Sequence, residues 1–166
     1  MALARARDIA ESVPDPELPM LTLSDLGILR GVTAEGQRIV VALTPTYSGC
    51  PALHEMRGDV ARRLAAAGFA DAEIRTVLSP AWSSDWITAA GRRKLAAAGI
   101  APPGPAPRRP AGGPVPLTLT AGRPGLRCPA CGSRDTTLTA AFSATACKDL
   151  YRCQTCAEPF EHVKEI

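Results

Sequence analysis

Aromatic side chains are scarce in this chain: two tryptophans, two tyrosines and three phenylalanines make up 4% of its 166 residues. Alanine supplies much of the 46% apolar content, so a thin core built from small aliphatic side chains is expected. Long hydrophobic runs are missing as well. No stretch approaches the roughly 18 apolar residues that a membrane span needs, which excludes an integral membrane protein of the helical kind. Dense basic clusters are also absent. Arg62-Arg63, Arg92-Arg93-Lys94 and Arg108-Arg109 are short, and a formal charge of +3 gives no nucleic-acid track. Residues 1 to 13 carry Arg5, Arg7, Asp8 and Glu11 without an apolar stretch between them, so no export signal is visible and a cytoplasmic, reducing location is expected. In that setting cysteines read as thiols or metal ligands rather than disulfides. A Gly-rich phosphate loop and a paired His–carboxylate set for a di-iron site are likewise not found.

What the chain does contain is unevenly distributed. Both tryptophans, Trp82 and Trp86, and most periodic apolar segments precede residue 100, whereas five of the six cysteines follow residue 127. Met1 to Ser12 suits a short amphipathic helix stopped by Pro14 and Pro16. Leu26 to Val32 and Arg38 to Thr44 are β-type runs joined by a turn around Glu35-Gly36, which predicts a hairpin. Leu53, Met56, Val60 and Leu64 then recur at helical spacing until Gly68. Residues 72 to 78 alternate as a third strand, and Asp85 to Ala98 reads as a last helix. The order α-β-β-α-β-α predicts a small mixed α/β domain over residues 1–100 with helices on one face of a short sheet. Residues 101–126 hold eight prolines and five glycines, and read as a linker. Within them Leu117-Thr118-Leu119-Thr120 has the alternation of a short strand.

Residues 127–166 carry Cys128-Pro-Ala-Cys131 and Cys153-Gln-Thr-Cys156, two CxxC turns separated by 21 residues. That separation is one longer than the usual zinc-ribbon range, and the pattern still predicts a tetrahedral all-sulfur zinc site. Gly132 and Ala157 follow the turns, and Thr136–Phe142, Lys148–Arg152 and Pro159–Val163 are predicted strands. Four protein ligands leave no open coordination position, so such a zinc is structural rather than catalytic.

Cys50 stands alone in the first domain. Ser48 and Gly49 are placed to cap the following helix with Pro51 in its first turn, which sets the sulfur at the positive end of a helix dipole and favours a thiolate. Its competing readings are a buried filler and a nucleophile with His54 as base, four residues along the same helix. Asp15-Pro16-Glu17 and Asp25-Leu26-Gly27 read as turn residues, with lining of the Cys50 site by their carboxylates as the alternative, and Trp82 and Trp86 as core or as a partner-binding surface.

Several segments are familiar together. Asp15-Pro16-Glu17, Asp25-Leu26-Gly27-Ile28, Thr44 to Pro51 and Ser79 to Trp86 resemble the iron–sulfur-assembly domain family. With the four-cysteine tail, including Thr145-Ala146-Cys147-Lys148 and Leu150-Tyr151-Arg152-Cys153, the chain is similar to the PaaD family of accessory subunits of bacterial phenylacetyl-CoA epoxidase. That resemblance implies a role in aerobic phenylacetate catabolism, maturing or delivering iron–sulfur or iron centres to the oxygenase and reductase subunits, without catalysis of its own. It implies that Cys50 holds a transient iron–sulfur cluster or iron, that Cys128, Cys131, Cys153 and Cys156 hold zinc, and that Cys147 either joins a metal site or merely packs. One cysteine does not complete a cluster shell, so a loaded form is expected to be a homodimer or a complex. The alternatives are a scaffold subunit of the same complex that handles no metal, and a Cys50/His54 thiol enzyme.

Overall fold

The computed structural model describes residues 1–107 and 125–166; the strand read at Leu117–Thr120 lies outside them. The described residues form two compact units, Met1–Lys94 and Leu95–Ile166.

In the first unit, α1 (Ala2–Glu11) is followed by β1 (Leu29–Glu35), β2 (Arg38–Leu43), α2 (Ala52–Ala66), β3 (Glu73–Thr76), a short 3-10 turn (Ser84–Trp86) and α3 (Ala89–Ala97), whose last turn crosses into the second unit. The predicted α-β-β-α-β-α order is the observed one. β1 and β2 form an antiparallel hairpin that closes at Glu35 and Arg38, a tighter closure than the sequence indicated. β3 joins the other side of β2 in parallel, with α2 as the crossover, giving the sheet order β1-β2-β3. A βαβ crossover of this kind requires its helix to pack back on the sheet. α2 does so through Ala52, Met56, Val60 and Leu64, all buried at spacings of four. The predicted Leu53 is only half-buried, and the smaller Ala52 takes the inward place instead. Burying each of the three large side chains contributes about 1.5–3 kcal/mol. α1 turns Ala6 and Ala10 inward, and small side chains there let it lie close against α2 and β1.

Strand directions gather the familiar segments at one end of this sheet. β1 begins there, while β2 and β3 both finish there. The Thr44 N–H donates to the Ile28 carbonyl at 2.8 Å, and the Val77 N–H donates to the Leu43 carbonyl at 2.8 Å. Trp82, 4% exposed, donates its indole N–H to the Leu26 carbonyl at 2.9 Å, so it is core, as its residue type suggests. Trp86 is half-buried, and the Arg30 guanidinium lies 3.6 Å over its ring.

Gly27 is required at this junction. Its φ is +68°, and a Cβ there would meet Trp86 Cβ at 2.6 Å and the Trp86 carbonyl oxygen at 2.7 Å. The left-handed backbone and the overpacking act together, so Gly27→Ala is expected to cost about 2–4 kcal/mol. Urea unfolding followed by tryptophan fluorescence checks this, since both tryptophans lie in the first unit.

The second unit is a three-stranded antiparallel sheet of order β4-β5-β6: β4 (Thr136–Ala140), β5 (Lys148–Cys153) and β6 (Pro159–Val163). Its strands match the predicted ones to within two residues at each end. The core is small: Ala101, Cys128, Tyr151, Cys153 and Phe160, with Leu126 against it. Among the described residues no helix is long and apolar enough to cross a membrane.

Candidate metal centres

The second unit brings its four paired cysteines together. Each CxxC segment is a tight turn held by its own backbone. The Gly132 N–H donates to the Cys128 carbonyl and the Cys128 N–H to the Ser133 carbonyl, both at 2.8 Å, and the Cys153 N–H donates to the Glu158 carbonyl at 3.0 Å. Both turns open into a following segment through left-handed backbone, at Gly132 (φ +77°) and Ala157 (φ +63°). Glycine suits this geometry and alanine does not, so Ala157→Gly is expected to stabilise the unit by about 1 kcal/mol. Comparing denaturant midpoints of the metal-loaded variant and parent chains checks this.

The four sulfurs lie within 4.8 Å of one another, with Cys128 to Cys156 at 3.8 Å and Cys131 to Cys153 at 3.6 Å. A tetrahedron with metal–sulfur bonds of about 2.3 Å has sulfur–sulfur edges of about 3.8 Å, so the arrangement fits a bound zinc-sized ion. Cys128 and Cys153 are buried, while Cys131 and Cys156 are exposed. Backbone N–H groups of Cys156 and then Thr155 lower the Cys153 pKa to about 6 against the effect of burial. At Cys156 the Glu158 N–H acts downward, but desolvation and the neighbouring sulfurs outweigh it and the thiol is pushed up to about 12. Thiolates this close repel one another, and a cation is what allows the four sulfurs to be held together in ionised form.

Cys147 is not in this group. It is half-buried beside the Thr145 hydroxyl, with Oγ1 to Sγ 3.1 Å, and its carbonyl accepts the Lys164 N–H at 3.0 Å.

In the first unit Cys50 lies on the loop that leaves β2 at the shared strand end and leads into α2. It is half-buried, its N–H donates to the Tyr47 carbonyl at 3.1 Å, and its carbonyl accepts the Leu53 N–H at 3.3 Å. The predicted cap by Ser48 or Gly49 is not formed. Pro51 occupies the N-cap position with helical backbone (φ −66°, ψ −29°), and no side chain caps the helix. The sulfur-bearing residue still lies two positions before the first residue of a 15-residue helix, whose dipole favours negative charge at this end. His54 is exposed on the first turn of α2.

The acidic segments are turn builders. Asp15 Oδ1 accepts the N–H groups of Glu17 and Leu18 at 2.9 and 2.8 Å. Asp25 Oδ2 accepts the Thr22 N–H at 3.0 Å and the Lys94 ammonium at 2.6 Å. Burial pushes the Asp25 pKa up, but the Lys94 and Thr22 hydrogen bonds outweigh this and hold it below its ordinary value. The sequence did not single out Thr44. It is 1% exposed at the exit of β2, and its hydroxyl has no hydrogen-bond partner among the described residues.

Comparison with known proteins follows the same division. Residues 4–76 match the family described as iron-sulfur cluster assembly protein, and residues 112–164 match the PaaD zinc beta ribbon domain. The chain is 42% identical over 158 residues to an Escherichia coli (strain K12) protein named as a putative subunit of 1,2-phenylacetyl-CoA epoxidase, covering 95% of this chain and 90% of that protein. The chain belongs to the PaaD family. Family membership accounts for the pairing of an assembly-type unit with a four-cysteine ribbon in one polypeptide. A crystal structure of a domain of unknown function from Bacillus anthracis matches with a TM-score of 0.52 and 27% identity, covering 57% of this chain and 91% of that one. That likeness supports the small α/β fold and leaves the chemistry to the cysteines.

Proposed function

We propose that this PaaD-family chain is an accessory protein of a phenylacetyl-CoA epoxidase system that carries iron or an iron–sulfur cluster to the oxygenase or reductase, with Cys50 as the carrying thiolate. The observation that carries this reading is the position of Cys50. It is half-buried at the end of the sheet where the Asp25–Ile28, Thr44–Pro51 and Ser79–Trp86 segments converge, just before a long helix. Crevices at the carboxyl ends of strands are where open α/β sheets bind ligands. In this reading the half-buried Cys50 is open to a partner and partly screened from bulk water.

In the same reading Cys128, Cys131, Cys153 and Cys156 hold zinc, which supports the fold of the ribbon and does no chemistry. A cluster takes four thiolates, so Cys50 carries one only when a second copy, another protein of the system or a small thiol completes the shell. Partial and borrowed ligation suits a cargo that must leave again. The experiment is to produce the epoxidase subunits with and without this chain and measure iron in the purified oxygenase and reductase. The reading expects iron-poor subunits when the chain is missing. Fully loaded, active subunits in its absence would overturn it.

A further inference from the structure

Three titratable side chains of the ribbon unit have no part in its cysteine site. His162 and Asp149 are 0% and 2% exposed and face each other across β6 and β5. His162 Nδ1 lies 2.8 Å from Asp149 Oδ1, which places a proton on Nδ1 as the donor. Nε2 then faces Glu165 Oε1 at 3.3 Å. In a neutral ring that nitrogen has no hydrogen to give, and it has no well-formed hydrogen bond among the described residues. In the charged ring it becomes a second donor aimed at a second carboxylate.

Glu165 reaches further. Its Oε1 also accepts the Gly104 N–H at 3.1 Å. Three residues earlier, the Ala101 N–H donates to the Glu161 carbonyl at 2.8 Å and the Ala101 carbonyl accepts the Val163 N–H at 3.1 Å, a parallel bridge beside His162. Ala101 is 3% exposed and shares the ribbon's core. Residues 101–104 therefore lie as a strap along β6, occupying backbone groups that an edge strand would otherwise offer to another chain.

We propose that Asp149, His162 and Glu165 form a clasp in which an imidazolium held between two carboxylates fastens residues 101–104 over the β6 edge, and that loss of the Nε2 proton releases them.

The direction of the effect follows from the two flanking acids. Burial disfavours the charged ring, but the Glu165 and Asp149 carboxylates that face its two nitrogens outweigh it and raise the His162 pKa above 6.5. Its contribution is fully present below 6.5 and is lost as pH rises through the raised folded value. Glu165 is held down to about 2, chiefly by the His162 ring it faces, so its contribution is present above 4.5 and is lost as pH falls through about 2. The clasp is thus closed in mildly acidic solution and opens on the alkaline side of the histidine. Other nearby groups are engaged elsewhere or uncharged. Glu161 pairs with Lys148 at 2.7 Å and with the Ser143 hydroxyl, Lys164 donates to the Ala146 carbonyl at 2.8 Å, and Tyr151 stands edge-on to the imidazole at 5.8 Å. The strap itself, Ala101-Pro102-Pro103-Gly104, has no titratable side chain.

The test uses the full zinc-loaded chain, following the His162 ring and the amides by NMR against pH. The ring is expected to titrate above 6.5. Across that midpoint the protection of the Gly104 and Val163 amides, corrected for intrinsic exchange, should fall about tenfold or more, while β5 amides that face β4 hold theirs. Glu165→Gln keeps the shape and removes the charge; it should lower the ring's midpoint and move the loss of protection with it. A ring that titrates at or below 6.5, or strap protection that ignores the titration, overturns the clasp. If Glu165→Gln disturbs the ribbon, seen as lost zinc, the parent titration alone decides.

Discussion

Replacing Cys128 and Cys153 with serine is expected to abolish metal binding and unfold the ribbon, while leaving the first unit intact. The apolar core around this site consists of five residues, only two of which, Tyr151 and Phe160, are large; their rings stack with centroids 5.9 Å apart. Burying two aromatic side chains contributes a few kcal/mol at about 1.5–3 each. A structural four-cysteine metal contributes about 10–16 kcal/mol, so it decides whether this unit is folded. Amide NMR should show collapse of the β4–β6 signals, metal analysis should fall from one zinc per chain to none, and a strong chelator should reproduce both changes in the parent protein. Fluorescence of Trp82 and Trp86 should stay native, because both lie in Met1–Lys94. A ribbon that keeps its amide dispersion without metal would show that the core suffices.

The second large effect is expected from Cys50→Ala. After anaerobic reconstitution with iron and sulfide, the parent chain should show visible absorbance and retain iron beyond its zinc, and the variant should retain at least tenfold less. Stability should barely change. Cys50 is half-buried, and its N–H and carbonyl bonds to Tyr47 and Leu53 belong to the backbone, which alanine preserves, so the cost stays near about 1 kcal/mol or less. A separation between lost iron and kept fold is what distinguishes a carrying thiolate from a packing residue. His54→Ala should leave iron retention unchanged, because His54 is exposed on α2 and its role is required only by the thiol-enzyme alternative.

Much of the fold was legible from helical spacing and from β-type composition. Met56, Val60 and Leu64 announced α2, and the Arg38–Thr44 run and residues 72–78 announced strands, although β2 buries Ile39, Val40 and Val41 in succession instead of alternating. The ribbon was legible for a different reason: two CxxC turns and their following Gly132 and Ala157 specify a local geometry almost independently of the rest of the chain. The helix cap at Ser48 and Gly49 was misread because Pro51 can sit at the cap itself with helical backbone, and residue type does not separate that from the first turn. Less visible still was the strap. Ala101 to Gly104 has the composition of a linker, yet Ala101 is paired with β6, and proline content reports on local stiffness without revealing a backbone bridge to residues sixty positions away. Asp149 and His162 escaped attention for the same reason: they are cross-strand partners brought together only by the β5–β6 register. At the strand end, the sequence identified Cys50, Trp82 and the Asp25–Ile28 turn singly, and it took the parallel β2–β3 pairing to show why they belong to one place.

Transfer is the most direct measure of the proposed function. The chain would be loaded anaerobically with isotopically labelled iron, mixed with metal-depleted epoxidase oxygenase or reductase, separated, and the label counted in each protein. The account predicts that label moves to one of those subunits, restores its activity, and does neither when the donor is Cys50→Ala. Label that stays with the donor, or moves equally well from the Cys50→Ala chain, would contradict it.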